Sequence, residues 1–231
     1  MPTYTLELKL LSDTTPGRGE GVAGLVDAEV QHDELGLPII NGRTLKGLLV
    51  NECATILQAL GQTQNGGWPA TAHELFGAQG DTFDEAASLS IGTATLAPDL
   101  IAKLRSASAA QRPAPEKLLG SLTAIRRQTR LDAVTGAPQA QTLRATRVII
   151  CGLTFYAPLR FEQAPPANQQ ALLAACVLGL RRLGTGRNRG KGRVQARLTD
   201  RPLAPAAFAA ATQVRDLSAD WFALFEQEVL A

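Results

Sequence analysis

Apolar and polar side chains alternate at the start of the chain. Tyr4, Leu6, Leu8 and Leu10 stand against Thr5, Glu7 and Lys9, which predicts a half-buried first strand. From Thr44 to Leu60 the period becomes helical: Leu45, Leu48, Leu49, Ile56, Leu57 and Leu60 fall on one stripe, with Thr44 a candidate N-cap and Gly61 a stop. Residues 87–96 read as a second strand. A third lies within 147–161, rich in Val, Ile and aromatic residues and interrupted by Gly152 and Pro158. A long polar insertion separates the two. An apolar helix over 171–183 leads through a glycine-rich loop to a fourth strand at 193–198. The order β-α-β-β-α-β predicts an α+β fold of the ferredoxin-like, or split βαβ, type: an antiparallel sheet with two helices on one face. A terminal amphipathic helix, DWFALFEQEVL, offers an apolar face to the chain itself or to a neighbouring subunit. Trp68 and Trp221 read as packing residues.

The loop before the fourth strand changes this picture. In LGTGRNRGKGR, residues 183–193, Gly184, Gly186, Gly190 and Gly192 are interleaved with Arg187, Arg189, Lys191 and Arg193. Arg181, Arg182 and Arg197 extend the charge, and no carboxylate occurs between Glu162 and Asp200. Glycines let backbone N–H groups approach an oxygen closely, and guanidinium groups supply charge and forked donors, so the ligand this pattern suits is a phosphate backbone. The alternative is a solvated surface loop. Two nucleotide loops are excluded. In the Walker pattern a glycine stands six residues before the lysine and a hydroxyl follows it, but here Thr185 and Gly192 hold those positions. In the dinucleotide fingerprint Arg189 takes the place of the third glycine, and a helix instead of a strand precedes the loop.

The chain has 231 residues, is 45% hydrophobic and carries a net charge of only +2, so a single elaborated domain with concentrated cations is expected. Three widely spaced cysteines, Cys53, Cys151 and Cys176, indicate neither a disulfide framework nor a zinc site. The amino terminus lacks an export signal and no apolar run reaches membrane-spanning length, which points to the cytoplasm. Aromatic residues are only 5% of the chain and no RNP1 sequence occurs, so bases would not be read by stacking on the sheet. Such a protein would grip a sugar-phosphate backbone and leave base edges free. Of two histidines, His32 lies in an acidic loop and His73 in AHELFG, neither with a second ligand at metal spacing.

Two segments carry a resemblance. GLPIINGRTLKGLL at 36–49 and the LGTGRNRGKGR loop together resemble the RAMP superfamily, the repeat-associated RNA-binding proteins of CRISPR–Cas systems. GEGVAGLVDAEVQHDELGLP looks like the acidic loop of backbone subunits in type III effectors. LFG followed by SLSIGTATL keeps the same order, and the basic stretch around Arg126, Arg127 and Arg130 looks like a protruding thumb hairpin, about 120–147, within one domain spanning 1–231. The resemblance implies a cytoplasmic subunit that binds CRISPR guide RNA, pairs it with single-stranded target RNA and assembles with other effector subunits, with no membrane partner. Arg43, Thr44 and Lys46 at a helix entry join the hairpin and the glycine loop as RNA-binding candidates, because a helix N-terminus favours phosphate. The resemblance also implies a catalytic aspartate. Asp27 matches best and Asp33 and Asp13 less well, acting on the target ribose 2′-hydroxyl or holding a divalent ion, Mg or Mn. A turn-forming role for Asp27, or a pairing with Arg43, stays open. So do a noncatalytic scaffold and a repeat-RNA-processing endoribonuclease, the latter relying on a histidine or tyrosine.

Overall fold

The computed structural model describes residues 3–17, 20–22, 25–62, 67–77, 87–108, 110–132, 134–139, 141–186 and 189–230. Strand β1 (Thr3–Leu10) lies between β5 (Thr154–Phe161) and β6 (Val194–Thr199), and β2 (Leu89–Ile91) pairs with the far side of β5, giving the antiparallel order β2-β5-β1-β6. The register explains the alternation. Leu6 stands opposite Ala157 and Leu198, and Leu8 opposite Phe155 and Ala196, so one face of the sheet is apolar across three strands. Leu6 and Leu8 are fully buried there, and truncating either to alanine costs about 2–5 kcal/mol.

Helices α1 (Gly42–Ala59) and α5 (Ala167–Gly179) supply buried side chains to this core, Leu45 and Leu49 from α1 and Leu172, Leu173 and Val177 from α5. The short α2 (Trp68–Phe76) packs on both, and α7 (Ser218–Leu230) packs along α5. The apolar face of α7 is thereby used within the chain: Trp221 meets Tyr4 edge-on at 5.0 Å and Phe225 meets Trp68 at 4.8 Å. Both tryptophans are packing residues. The cysteines are free, Cys53 and Cys176 buried and Cys151 exposed.

Several boundaries differ from the sequence pattern for local reasons. The cap of α1 is Asn41, whose side chain accepts the Arg43 N–H at 3.2 Å, so Thr44 lies inside the first turn. The predicted third strand is two strands. Gly152, at φ 88°, turns a corner there, and β4 (Arg144–Ile149) leaves the main sheet to pair with β3 (Thr123–Gln128) in a separate hairpin. Pro158 does not interrupt β5. Its carbonyl accepts the Gly92 N–H at 2.9 Å, and its nitrogen faces the same side, where β2 has already ended. A side chain at Gly92 would strike the proline ring at 2.5 Å, hence the glycine. Beyond Ile91 the chain bends away and pairs Ala94 with Ile40 and Thr95 with Tyr156, which shortens the expected second strand. Helix α5 begins after Pro165 and Pro166 and ends at Gly179, because Arg181 to Leu183 are drawn into the neck of the glycine loop. The insertion holds α3 (Pro98–Ser106) and α4 (Pro115–Leu122) before the hairpin, and α6 (Pro205–Ala210) follows β6.

Candidate nucleic-acid interface

A four-residue strap, Ser12 to Thr15, follows β1 and joins two elements distant in sequence. On one side it holds the β3–β4 hairpin: Thr14 and Ile149 exchange backbone hydrogen bonds at 3.1 and 2.7 Å, and the Thr15 hydroxyl donates to the Arg147 carbonyl at 3.0 Å. On the other side it holds the glycine loop. The Thr14 hydroxyl donates to the Leu183 carbonyl at 2.8 Å, the Thr185 N–H to the Thr15 carbonyl at 3.0 Å, and the Arg193 N–H to the Ser12 hydroxyl at 2.8 Å.

Between the two lies a groove of about 760 Å³. Arg130 and Arg144 line it from the hairpin, Arg189 and Lys191 from the loop, with Thr129, Thr142 and Thr185 among the hydroxyls between them. Among the described residues no carboxylate lines it, and none of these four cations forms an ion pair. The glycines divide into two kinds. Gly184 and Gly192 form the packed neck: a side chain at Gly192 would meet the Leu183 carbonyl at 2.0 Å, and one at Gly184 the Thr15 carbonyl at 2.6 Å. Gly186 and Gly190, at φ 71° and 77°, form the open tip, where φ alone demands glycine. Arg187 lies outside the described residues, and Arg193 is exposed beside the neck.

The hairpin residues do not share one task. Arg126 forks onto Asp13 Oδ2 through Nε at 3.1 Å and Nη2 at 2.7 Å. Arg147 is turned inward, pairing with the buried Glu29 at 2.8 Å and donating to the Thr123 hydroxyl at 3.3 Å. Arg127 is exposed and does not line the groove. At the tip, Asp132 accepts the Thr135 N–H and hydroxyl and the Val134 N–H. These bonds, Thr135 first, hold its carboxyl below the ordinary aspartate value and explain the one acid in a basic segment: it closes the turn.

The acidic loop runs along the free edge of β4. The Asp27 N–H donates to the Ala145 carbonyl at 2.7 Å, and Asp27 Oδ2 accepts the Ala145 N–H at 2.6 Å. Asp27 is exposed beside Ala145, toward the far end of the β3–β4 ladder, and does not line the groove. Its partner is the backbone of β4 and not Arg43. Asp33 is a turn former, its Oδ1 accepting the Leu35 and Leu37 N–H groups, each at 2.9 Å. His32 is exposed, with Nδ1 3.0 Å from the Asp33 carbonyl, and His73 sits in α2. Among the described residues no three His, Cys, Asp or Glu side chains gather as a metal site, so a cation at Asp27 would draw most of its oxygens from a nucleic acid and water. Arg43 and Thr44 are exposed in the first turn of α1 and Lys46 is half-buried; none of the three lines the groove.

The outer face of the main sheet is closed to such a role. Glu7, 3% exposed, accepts Arg197 at 2.6 Å and Arg201 at 2.7 Å. The Arg201 guanidinium also lies over Phe208 of α6 at 4.9 Å, and Phe208 meets Tyr156 edge-on at 4.8 Å. Burial, then the Glu7 carboxylate, pushes the Tyr156 phenol up. Sequence reading missed this network and the strap; an acid at an outward position of β1, at Glu7, was the visible signal of the first.

The family model described as RAMP superfamily matches residues 7–195, from the first strand to the start of the last. The chain belongs to the RAMP superfamily. None of the curated protein sequences compared with it matches. Solved structures do. A chain of the type III-B Cmr-beta cryo-EM structure in the apo state is similar at a TM-score of 0.62 and 15% identity, covering 85% of this RAMP protein and 96% of that chain. A chain of the type III-B Cmr-beta structure bound to cognate target RNA is similar at a TM-score of 0.61 and 15% identity, with coverages of 86% and 97%. At that identity the likeness is one of fold. Among the described residues no helix is long and apolar enough to cross a membrane.

Proposed function

We propose that this RAMP protein is a guide-RNA-binding backbone subunit of a type III CRISPR effector that pairs the guide with target RNA and cleaves the target. The observation that carries the reading is the carboxylate-free groove whose two walls, Arg130 and Arg144 on the hairpin and Arg189 and Lys191 on the loop, lie far apart in sequence. Cations that form no ion pair among the described residues, flanked by hydroxyls and Gly186, suit the sugar-phosphate strand and leave base edges for pairing. The similar structures, one of them bound to cognate target RNA, support the type III assignment. We read the β2-β5-β1-β6 sheet with α1 and α5 as the ferredoxin-like core, and the β3–β4 hairpin as the thumb that divides guide from target.

On this reading the guide occupies the groove on one side of the hairpin and the target meets Asp27 at the β4 edge. Asp27 Oδ2 is oriented by the Ala145 N–H and the residue is exposed, so its carboxylate is available to the ribose 2′-hydroxyl as base or hydrogen-bond acceptor. A divalent ion, Mg or Mn, held there with RNA oxygens supplies charge stabilisation at the phosphorus. The 2′-oxygen attacks the adjacent phosphorus and the 5′-oxygen leaves, giving a 2′,3′-cyclic phosphate and a free 5′-hydroxyl. Asp27→Ala in the assembled effector leaves guide binding unchanged and abolishes metal-dependent cutting. A 2′-deoxy nucleotide at the cut site blocks the same step in the wild type. The noncatalytic scaffold is favoured by one observation, the structural use of Asp27 Oδ2 by β4, and wild-type complexes that pair with target but never cut it would establish it. Repeat-RNA processing has less support, since neither histidine and neither tyrosine lines the groove.

A further inference from the structure

We propose that Asp13 is a positioning residue that sets the angle of the hairpin over the glycine loop, and so the spacing of the two walls that grip the RNA strand. The inference rests on the reading of the groove as an RNA site. It starts from a convergence. Asp13 Oδ2 accepts both Arg126 N–H groups on β3, Oδ1 accepts the Cys151 N–H at 3.1 Å at the corner between β4 and β5, and the Asp13 carbonyl accepts the Gly192 N–H at 2.9 Å in the neck of the loop. One residue therefore touches the hairpin, the corner where it leaves the main sheet and the opposite wall. The rest of the strap holds the hairpin through Thr14 and Thr15 at Ile149 and Arg147, on β4; Asp13 alone in the strap is bonded to β3.

That position matters because the backbone side bonds of this two-stranded ribbon fall on the outer edge of β4, to Thr14 and to Asp27 and Ala28 of the acidic loop, and a ribbon held along one edge can roll about it. Beyond Gln128 the hairpin projects to Val134, which is 93% exposed. A second anchor on the other strand removes the roll. The Asp13–Arg126 pair is too exposed to contribute much stability, with side chains 20% and 54% accessible, but its fork geometry fixes orientation. The same carboxylate pairs with Arg126, which leaves Arg130 and Arg144 as the hairpin cations that line the groove.

The test joins a geometric readout to a binding one, on the full chain. With Cys151→Ser to remove the exposed thiol, spin labels at Val134→Cys and Ala54→Cys, an exposed position on α1, report the hairpin-to-core distance by pulsed electron resonance. Fluorescence anisotropy measures binding of a 20-nucleotide oligouridylate. Asp13→Asn and Arg126→Gln each broaden the distance distribution and weaken RNA binding about tenfold, the double variant is no worse than either single one, and Arg126→Lys recovers part of both. Arg130→Gln weakens binding and leaves the distances alone. Asp13→Asn retains an acceptor for the Cys151 N–H, and together with Arg126→Gln it carries the test where Asp13→Ala does not fold. Unchanged distances in folded Asp13→Asn and Arg126→Gln would overturn the inference. Distances that broaden while none of the variants, Arg130→Gln included, alters RNA binding would leave Asp13 its positioning role and sink the groove as an RNA site.

Discussion

Two surfaces of this protein carry arginines and differ in what faces them. On the outer face of the main sheet, Arg197 and Arg201 converge on buried Glu7, and Arg201 is covered by Phe208. In the groove, Arg130, Arg144, Arg189 and Lys191 face hydroxyls and glycines and no acid. A cation already paired and stacked gains little by meeting phosphate, because its counter-charge must first be displaced; an unpaired one releases only mobile counterions. Composition alone does not separate the two. The placement of carboxylates does.

The largest effect is expected where pairing is tightest. Glu7→Ala leaves two guanidinium groups without their partner, one of them mostly buried, and lowers unfolding stability by about 3 kcal/mol in urea titration. Oligouridylate affinity of the folded protein stays at the wild-type value; an affinity that moves with Glu7 would break the division between the two surfaces. Next comes the loop. Replacing Arg187, Arg189 and Lys191 together with alanine lowers the slope of log affinity against log salt by roughly two units, at about 0.7 per lost single-strand contact, with little change in stability. An unchanged slope would show that the groove is no more engaged than the sheet face.

Smaller effects sharpen the contrast within the loop. Gly190→Ala meets open space but must hold φ near 77°, at a cost of about 1 kcal/mol, and its main consequence is weaker RNA binding. Gly192→Ala at the neck destabilises further, since the new methyl group collides with the Leu183 carbonyl; equal melting temperatures for the two variants would remove the distinction between neck and tip. The smallest stability change, within about 0.5 kcal/mol, is expected for deleting residues 134–140, since Val134 is 93% exposed and the hairpin ladder ends before it. On the proposed function that deletion alters the spacing of target cuts in the assembled effector.

The element order was legible because strand and helix impose different periods on apolar residues, and each core strand carries that period in a few consecutive residues. The hairpin was harder to delimit. Its strands hold charged residues on both faces, so Arg144 to Ile149 merges in sequence with the strand that follows, and only the corner at Gly152 separates them. The candidate site was half legible. The glycine loop announced itself by composition, but the task of each cation did not: Arg126, Arg147 and Arg130 stand within one basic stretch, and they respectively pair with Asp13, pair with Glu29 and line the groove.

By itself the sequence determined the strand and helix order, the position of the basic glycine-rich loop and the resemblance that the family match now supports, since these depend on neighbours along the chain. Tertiary structure decided which cations are paired with a carboxylate. Glu7 and Arg201 are 194 residues apart and Asp13 and Arg126 are 113 apart, and electrostatic pairing at 2.7 Å depends on distance in space, which local pattern does not encode.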